Sequence, residues 1–170
     1  FQLRAYCIDR TEVTVEAYEH CVRQRACPAV RPAFAGDILP MTRVTWFEAR
    51  TFCRHRGGRL PSETEWEHAA RGADDRLYPW GSARPECSLA DFWHETDGSC
   101  GGFGPSPVGS HPRGAAPSGA LDMAGNVLEW VEDVYDVRGW STLPQHDPIR
   151  LAGTDRGLGL ARVVRGNVQP

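Results

Sequence analysis

The sequence predicts an α+β domain rich in irregular loops. Three observations carry that prediction: a strand-like opening segment, two helix-capping signatures in the first half, and a stretch over residues 73–120 with eight glycines, six prolines and no sustained period. AYCIDRTEVT, residues 5–14, reads as the strand. TVEAYEHCV follows with Thr14 as N-cap and Val15, Tyr18 and Val22 on one helical face. In TWFEARTFC, Thr45 and Glu48 form a capping box, each side chain satisfying an orphan backbone donor, and Trp46, Ala49 and Phe52 face the core. SETEWEHAARG repeats the device with Ser62 and Glu65, buries Trp66 with Ala69 or Ala70, and stops at Gly72.

Residues 73–120 are too long for an idle loop inside a compact domain, so they call for a tether. Their aromatic residues, Tyr78, Trp80, Phe92, Trp93 and Phe103, argue for packed loops rather than a disordered linker. Cys87 and Cys100 enclose twelve residues, and a bridge there would remove denatured-state entropy worth about 3 kcal/mol. The second candidate tether is LDMAGNVLEW, residues 121–130. Gly125 lets the backbone bend so that carbonyls can converge, while Asp122 and Glu129 supply charge, the oxygen-only chemistry that suits calcium. Leu128 and Trp130 alternate with Glu129, as in a strand over residues 127–131. The competing reading is an acidic hairpin turn, since Gly-Asn pairs between alternating hydrophobics commonly form one.

Composition bounds the function. The 170 residues make one domain of ordinary hydrophobic (41%) and charged (24%) content, without an apolar run long enough to span a bilayer. The net charge of −3 sets 22 acidic against 19 basic residues, and every basic residue is arginine, which excludes a lysine nucleophile. The arginines are dispersed, which argues against nucleic-acid binding. Six cysteines without a Cys-x-x-Cys pair fit a disulfide framework rather than a zinc ribbon or redox motif. Pairing among Cys7, Cys21, Cys27 and Cys53 is open, and free thiols in a cytosolic protein are the alternative. FQLRAYCIDR has neither the charged start nor the apolar core of a secretory signal. The six histidines show no HExxH-like spacing, and the glycine-rich tail LAGTDRGLGLARVVRG reads as a loop.

FCRHRGGRLPSETEWEHAARG, then YPWG, PVGSHP, LDMAGNVLEWVEDVYD and RVVRG, together with CIDRTEVTVEAY and VTWFEARTFC, resemble the formylglycine-generating enzyme, or sulfatase-modifying factor, family over nearly the whole chain. The resemblance implies a variant C-type-lectin-like fold, incomplete at its C-terminus, in a single domain over residues 1–170. It implies a structural calcium held by Asp122 and Glu129 side chains with the Gly125 and Val127 carbonyls. A second family calcium site would fall at Asp91, Phe92 and Phe103, but Cys100 or Gly101 stands where an acid is needed, so that site is expected to be absent or altered. Active members oxidise a sulfatase cysteine to formylglycine with a copper-binding cysteine pair. Here the matching tract departs at Asn167 and no cysteine follows Cys100, so no catalytic residue is assigned, and copper is expected only if a cysteine pair exists beyond Pro170. The iron-dependent sulfoxide synthases of the same superfamily use three histidines and a further helical domain, neither of which is matched.

Two functional expectations follow. One is part of a family enzyme acting on a peptide or protein such as a sulfatase. The other is a non-catalytic lectin-like module binding a peptide, glycan or protein partner. Cysteine count and calcium favour an extracytoplasmic location.

Overall fold

The structure, a computed structural model, describes residues 1–74, 76–94, 98–100, 102–151 and 161–166. All three helices fall where the capping residues place them. Helix α1 spans Val15–Arg23, α2 Trp46–His55 and α3 Glu63–Arg71. Thr14 accepts from the Ala17 amide, and both capping boxes are complete. Gly72 ends α3 at a φ of 70°, a conformation that costs glycine no Cβ clash. One face differs from expectation: Cys21, not Val22, is the fully buried residue of the last turn of α1, because a disulfide to Cys27 pulls it inward.

Among the described residues, four short strands form two antiparallel pairs. Strand β1 (Trp93–His94) pairs with β2 (Gly98–Ser99), and β3 (Glu129–Val134) pairs with β4 (Arg162–Arg165). The 127–131 strand thus begins two residues later than expected and runs further. Strand β4 corrects the loop reading of the tail over residues 162–165, while residues 152–160 lie outside the described ones. Four residues carry too little periodicity to read alone; tertiary pairing defines this strand, with Glu129 opposite Arg165 and Trp130 opposite Val164.

Residues 5–14 also depart from expectation, since among the described residues they join no sheet. Isolated bridges stand around them, Gln2 with His146 and Thr14 with Pro40. Their backbone partners are single residues from separate loops: Leu121 donates to the Arg10 carbonyl and Met41 to the Val13 carbonyl, each at 2.7 Å. The strand-like alternation is present all the same. Tyr6 and Ile8 pack on the core, whereas Ala5, Cys7 and Asp9 are exposed.

Two apolar clusters hold the chain together. One gathers Trp66, Ala69, Ala70, Ala116, Ala120, Met123 and Val131, so α3 and β3 sandwich the end of the long loop region. The other gathers Val15, Tyr18, Cys21, Cys27, Met41 and Phe52 between α1 and α2. Burying each large side chain contributes about 1.5–3 kcal/mol. Three indoles fix β3 relative to the helices. Trp46 donates to the Val131 carbonyl at 2.8 Å, Trp66 to the Glu129 carboxylate at 2.9 Å, and Trp130 to the Val44 carbonyl at 3.0 Å. A buried indole N–H needs such an acceptor, and each bond sets one element against another.

The expected Cys87–Cys100 bridge is present. Cys7 and Cys53 are free, the first exposed and the second half-buried. Among the described residues, no helix is long and apolar enough to cross a membrane.

Candidate functional site

The loop before β3 is no hairpin turn. Asp122 and Asn126 both adopt left-handed backbone conformations, each with a φ of 58°, and Gly125 has a φ of 89°. Non-glycine residues in that region cost of order 1–3 kcal/mol each and persist only where their surroundings over-determine them. Here they do. The Gly125 amide donates to the Gly166 carbonyl and the Asn126 amide to the Asp91 carbonyl, both at 2.7 Å. A Cβ on Gly125 would stand 2.0 Å from the Asp91 carbonyl oxygen, so the position admits only glycine. Loops that are 75 residues apart in sequence therefore cross at one peptide unit.

The Asn126 side chain is the second hub. Its amide donates to Glu12 at 2.9 Å and to the Ser106 carbonyl at 3.3 Å, and its oxygen accepts from the Ser106 amide at 2.9 Å. The GN pair that suggests a turn is thus a cross-chain junction.

The four residues expected to hold an ion all line this loop. Asp122 is buried and accepts from the Gly109 amide at 2.5 Å. Glu129, half-buried, accepts from Trp66. The two carbonyls, of Gly125 and Val127, converge: a Cβ on Gly166 would stand 2.9 Å from the Val127 oxygen and 4.0 Å from that of Gly125. Gly166, at a φ of 98°, leaves that space open.

Glu12, absent from the expected set, joins this group. One of its carboxylate oxygens takes the Asn126 hydrogen bond, while the other is buried with no hydrogen-bond partner among the described residues. Burial first, then the charges of Glu129 and Asp122, raise the proton affinity of its carboxyl group. Burial likewise pushes Glu129 up to about 7, against the lowering effect of the Trp66 hydrogen bond and with a further upward push from Asp122. Glu12, Asp122 and Glu129 thus act on one another across a small volume that contains a buried carboxylate oxygen without a hydrogen-bond partner among the described residues. A sequence signal for Glu12 exists: it shares the even-numbered register of Tyr6 and Ile8, the face of the opening segment that packs inward.

The donor set is all oxygen, which suits a hard cation such as calcium. Among the described residues, no three histidine, cysteine, aspartate or glutamate side chains stand close enough to form a metal cage on their own. Backbone carbonyls are therefore indispensable to any such site here.

The residues matched to the second family site lie as follows. The Asp91 carboxylate accepts from the Ser106 amide at 3.1 Å and hydroxyl at 2.8 Å, Phe92 is buried, and Phe103 projects fully into solvent. Cys100 is bonded to Cys87, and Gly101 lies outside the described residues.

Beside the acid loop runs an open groove of about 790 Å³, lined among others by Cys7, Ile8, Leu60, Met123, Leu128 and Glu129. The charged residues at its rim pair with one another. Arg56 contacts Asp9 at 3.0 Å and Arg59 contacts Glu65 at 2.7 Å.

Fold and loop together define a class: a loop-rich α+β scaffold organised around an oxygen-lined turn. The chain belongs to the sulfatase-modifying factor enzyme 1-like domain family, whose model matches residues 1–168. It is 38% identical over 105 residues to a hercynine oxygenase of Mycolicibacterium smegmatis, covering 59% of this chain and 23% of that protein. To a formylglycine-generating enzyme of Streptomyces coelicolor it is 36% identical over 136 residues, covering 75% of this chain and 41% of the enzyme. The solved structure of PvdO from Pseudomonas aeruginosa superposes with a TM-score of 0.70 at 25% identity, over 93% of this chain and 66% of that one. The chain thus spans less than half the length of these two curated relatives.

Proposed function

We propose that this chain is the calcium-held scaffold of a protein-modifying member of the family, with a peptide segment of a protein such as a sulfatase as substrate and the oxidative chemistry supplied from outside residues 1–170. The observation that carries the scaffold reading is the pair of carbonyls, of Gly125 and Val127, that stand near Gly166, together with the buried oxygen of Glu12 that has no hydrogen-bond partner among the described residues. Asp122, Glu129 and those two carbonyls would hold the ion, with Glu12 adding negative charge behind them. Bound calcium would offset two carboxylate charges among these acids and lock the loop that joins residues 91, 126 and 166. The architecture then reads as a variant of the C-type-lectin-like fold. Two disulfides and a calcium requirement favour an extracytoplasmic compartment.

The residues present do not fit a copper centre. Soft Cu(I) wants a thiolate pair. Cys21 and Cys27 are bonded to each other, as are Cys87 and Cys100. Cys53 lies within α2, its thiol pushed up to about 11 by burial first and the neighbouring Asp9 second. No oxidation step is derived from this chain. That same cysteine usage favours, as a second reading, a non-catalytic module that binds a peptide, glycan or protein. The curated relatives support a scaffold role in either case, because one matched region serves proteins named for two different chemistries.

The test is thermal unfolding with calcium and after chelation. At a free calcium concentration of about 100 times Kd, bound ion adds about 2.7 kcal/mol, or roughly 5–10 °C in Tm for a domain of this size. Glu129→Gln and Asp122→Asn should abolish that dependence. An identical Tm in chelator and in calcium overturns the scaffold reading. Incubation with copper, oxygen and a Cys-x-Pro-x-Arg peptide should leave the peptide cysteine intact, and an aldehyde product would show that the chemistry resides in this chain after all.

A further inference from the structure

We propose that the C-terminal ends of α1 and α2 carry a second kind of metal site, in which His20 and His55 bind one divalent transition-metal ion of the zinc type between the two helices. The site is separate from the acid loop and from the calcium expected there.

The two imidazoles already converge on one group. Gln24, the C-cap of α1, sets the nitrogen of its carboxamide 2.9 Å from His20 Nε2 and the oxygen 2.7 Å from His55 Nε2. Since a carboxamide donates at one end and accepts at the other, His20 Nε2 accepts and carries its proton on Nδ1, while His55 Nε2 donates. Across a single amide the two ring nitrogens lie within about 8 Å of each other. His20 thus turns a bare lone pair toward the joint. His55 does the same once its proton moves to Nδ1, a tautomer change that water mediates at an exposed ring.

The backbone beneath these side chains is fixed. Tyr18 and Phe52 stack at 5.7 Å between the same two helices, and Cys21, next to His20, is bonded to Cys27. Ligands mounted on packed helices are held more precisely than ligands on loops. Zinc takes imidazole nitrogen at about 2.0–2.1 Å, so the rings close on the ion as the exposed Gln24 side chain swings aside.

Electrostatics at this spot favours a cation. His20 and His55 stand in the last turns of their helices, where the terminal carbonyls carry the negative end of the helix dipole. Of the neighbouring guanidinium groups, Arg23 is offset by Glu19 at 3.6 Å and Arg56 by Asp9 at 3.0 Å. Arg25 and Arg54 are exposed, where water and salt screen them.

Imidazole nitrogen suits zinc, copper and nickel, whereas calcium takes oxygen, so the two sites select different metals. Among the described residues, no third histidine, cysteine, aspartate or glutamate joins the pair. Water therefore fills the remaining positions, which makes this an open site and not a closed structural one. A spacing motif does not reveal it, because its two ligands belong to different helices.

Calorimetric titration with zinc tests the proposal on the calcium-saturated chain, carrying Cys7→Ser so that the exposed thiol does not compete. Imidazole NMR is the second readout. The expected result is one zinc per chain, with the His20 and His55 resonances moving together while those of His111 and His146 stay in place. His20→Ala and His55→Ala should each weaken binding at least about tenfold, whereas Gln24→Ala should leave it within about threefold because the amide only occupies the joint. All three side chains are exposed, so their replacement leaves the helices folded. Absence of zinc uptake, uptake unchanged by both histidine variants, a loss in Gln24→Ala as large as theirs, or saturation at one zinc per two chains would each overturn the proposal. The calcium dependence of Tm is read separately, so failure here is distinguishable from failure of the scaffold reading.

Discussion

Residues 14–72 and residues 73–127 are built on opposite principles. In the first, each helix carries its own instructions: a cap, an acidic first turn, a basic last turn and a buried face. Damage to one device stays local. In the second, almost nothing is specified locally; shape comes from single junctions between distant loops, such as the Asn126 side chain bonded to Glu12 and Ser106. A change of one atom there propagates through several loops.

The sharpest way to break this contrast is Gly125→Ala. The new Cβ collides with the Asp91 carbonyl at a positive φ, and the expected cost is at least about 3 kcal/mol. Denaturant unfolding measures it; a loss below about 1 kcal/mol would show that the junction is soft.

Next comes Cys87→Ser paired with Cys100→Ser. Releasing that loop should cost about 3 kcal/mol or somewhat less. Because the tether serves the loop region alone, exchange should accelerate first over residues 87–127. Uniform acceleration that includes α1 would erase the distinction between the two regions.

The smallest effect belongs to the helical region. Burial works to raise the Glu65 carboxyl, but hydrogen bonds from Arg59 and the Ser62 backbone outweigh it, and the net shift is downward from 4.5. A carboxylate depressed in the folded state gives stability that is fully present above its unfolded value and is lost as pH falls through its folded one. Glu65→Gln should therefore cost about 1 kcal/mol at pH 7, comparable to losing a cap, and flatten the decline in stability below about pH 4.5. A mutant whose acid limb matches the parent's would refute the assignment.

The same contrast explains what could be read from sequence. Helix boundaries were legible because Thr45 with Glu48 and Ser62 with Glu65 are contiguous signals within one turn. The Cys87–Cys100 bridge was legible from spacing and need. Strand β4 was not, since RVVR becomes a strand only when β3 lies alongside it. The opening segment misled in an instructive way: its alternation is real, but hydrogen-bonded pairing depends on a partner that residues 5–14 cannot specify. At the acid loop, Asp122, Gly125 and Glu129 stand out because they share one short stretch, whereas Val127 enters only through the family resemblance. Glu12 shares the inward register of Tyr6 and Ile8, but that register does not say what it meets, because its place beside the loop depends on a bond to Asn126 across more than a hundred residues.

The contact between the Trp66 indole and the Glu129 carboxylate has a practical corollary. Indole emission responds to a neighbouring negative charge, so this ring is an intrinsic optical probe wired to one side of the loop. Any event that alters the carboxylate's charge, whether proton or cation, should register in its fluorescence without a dye or a label. Comparing the parent with Trp66→Phe would isolate that signal from the five remaining tryptophans.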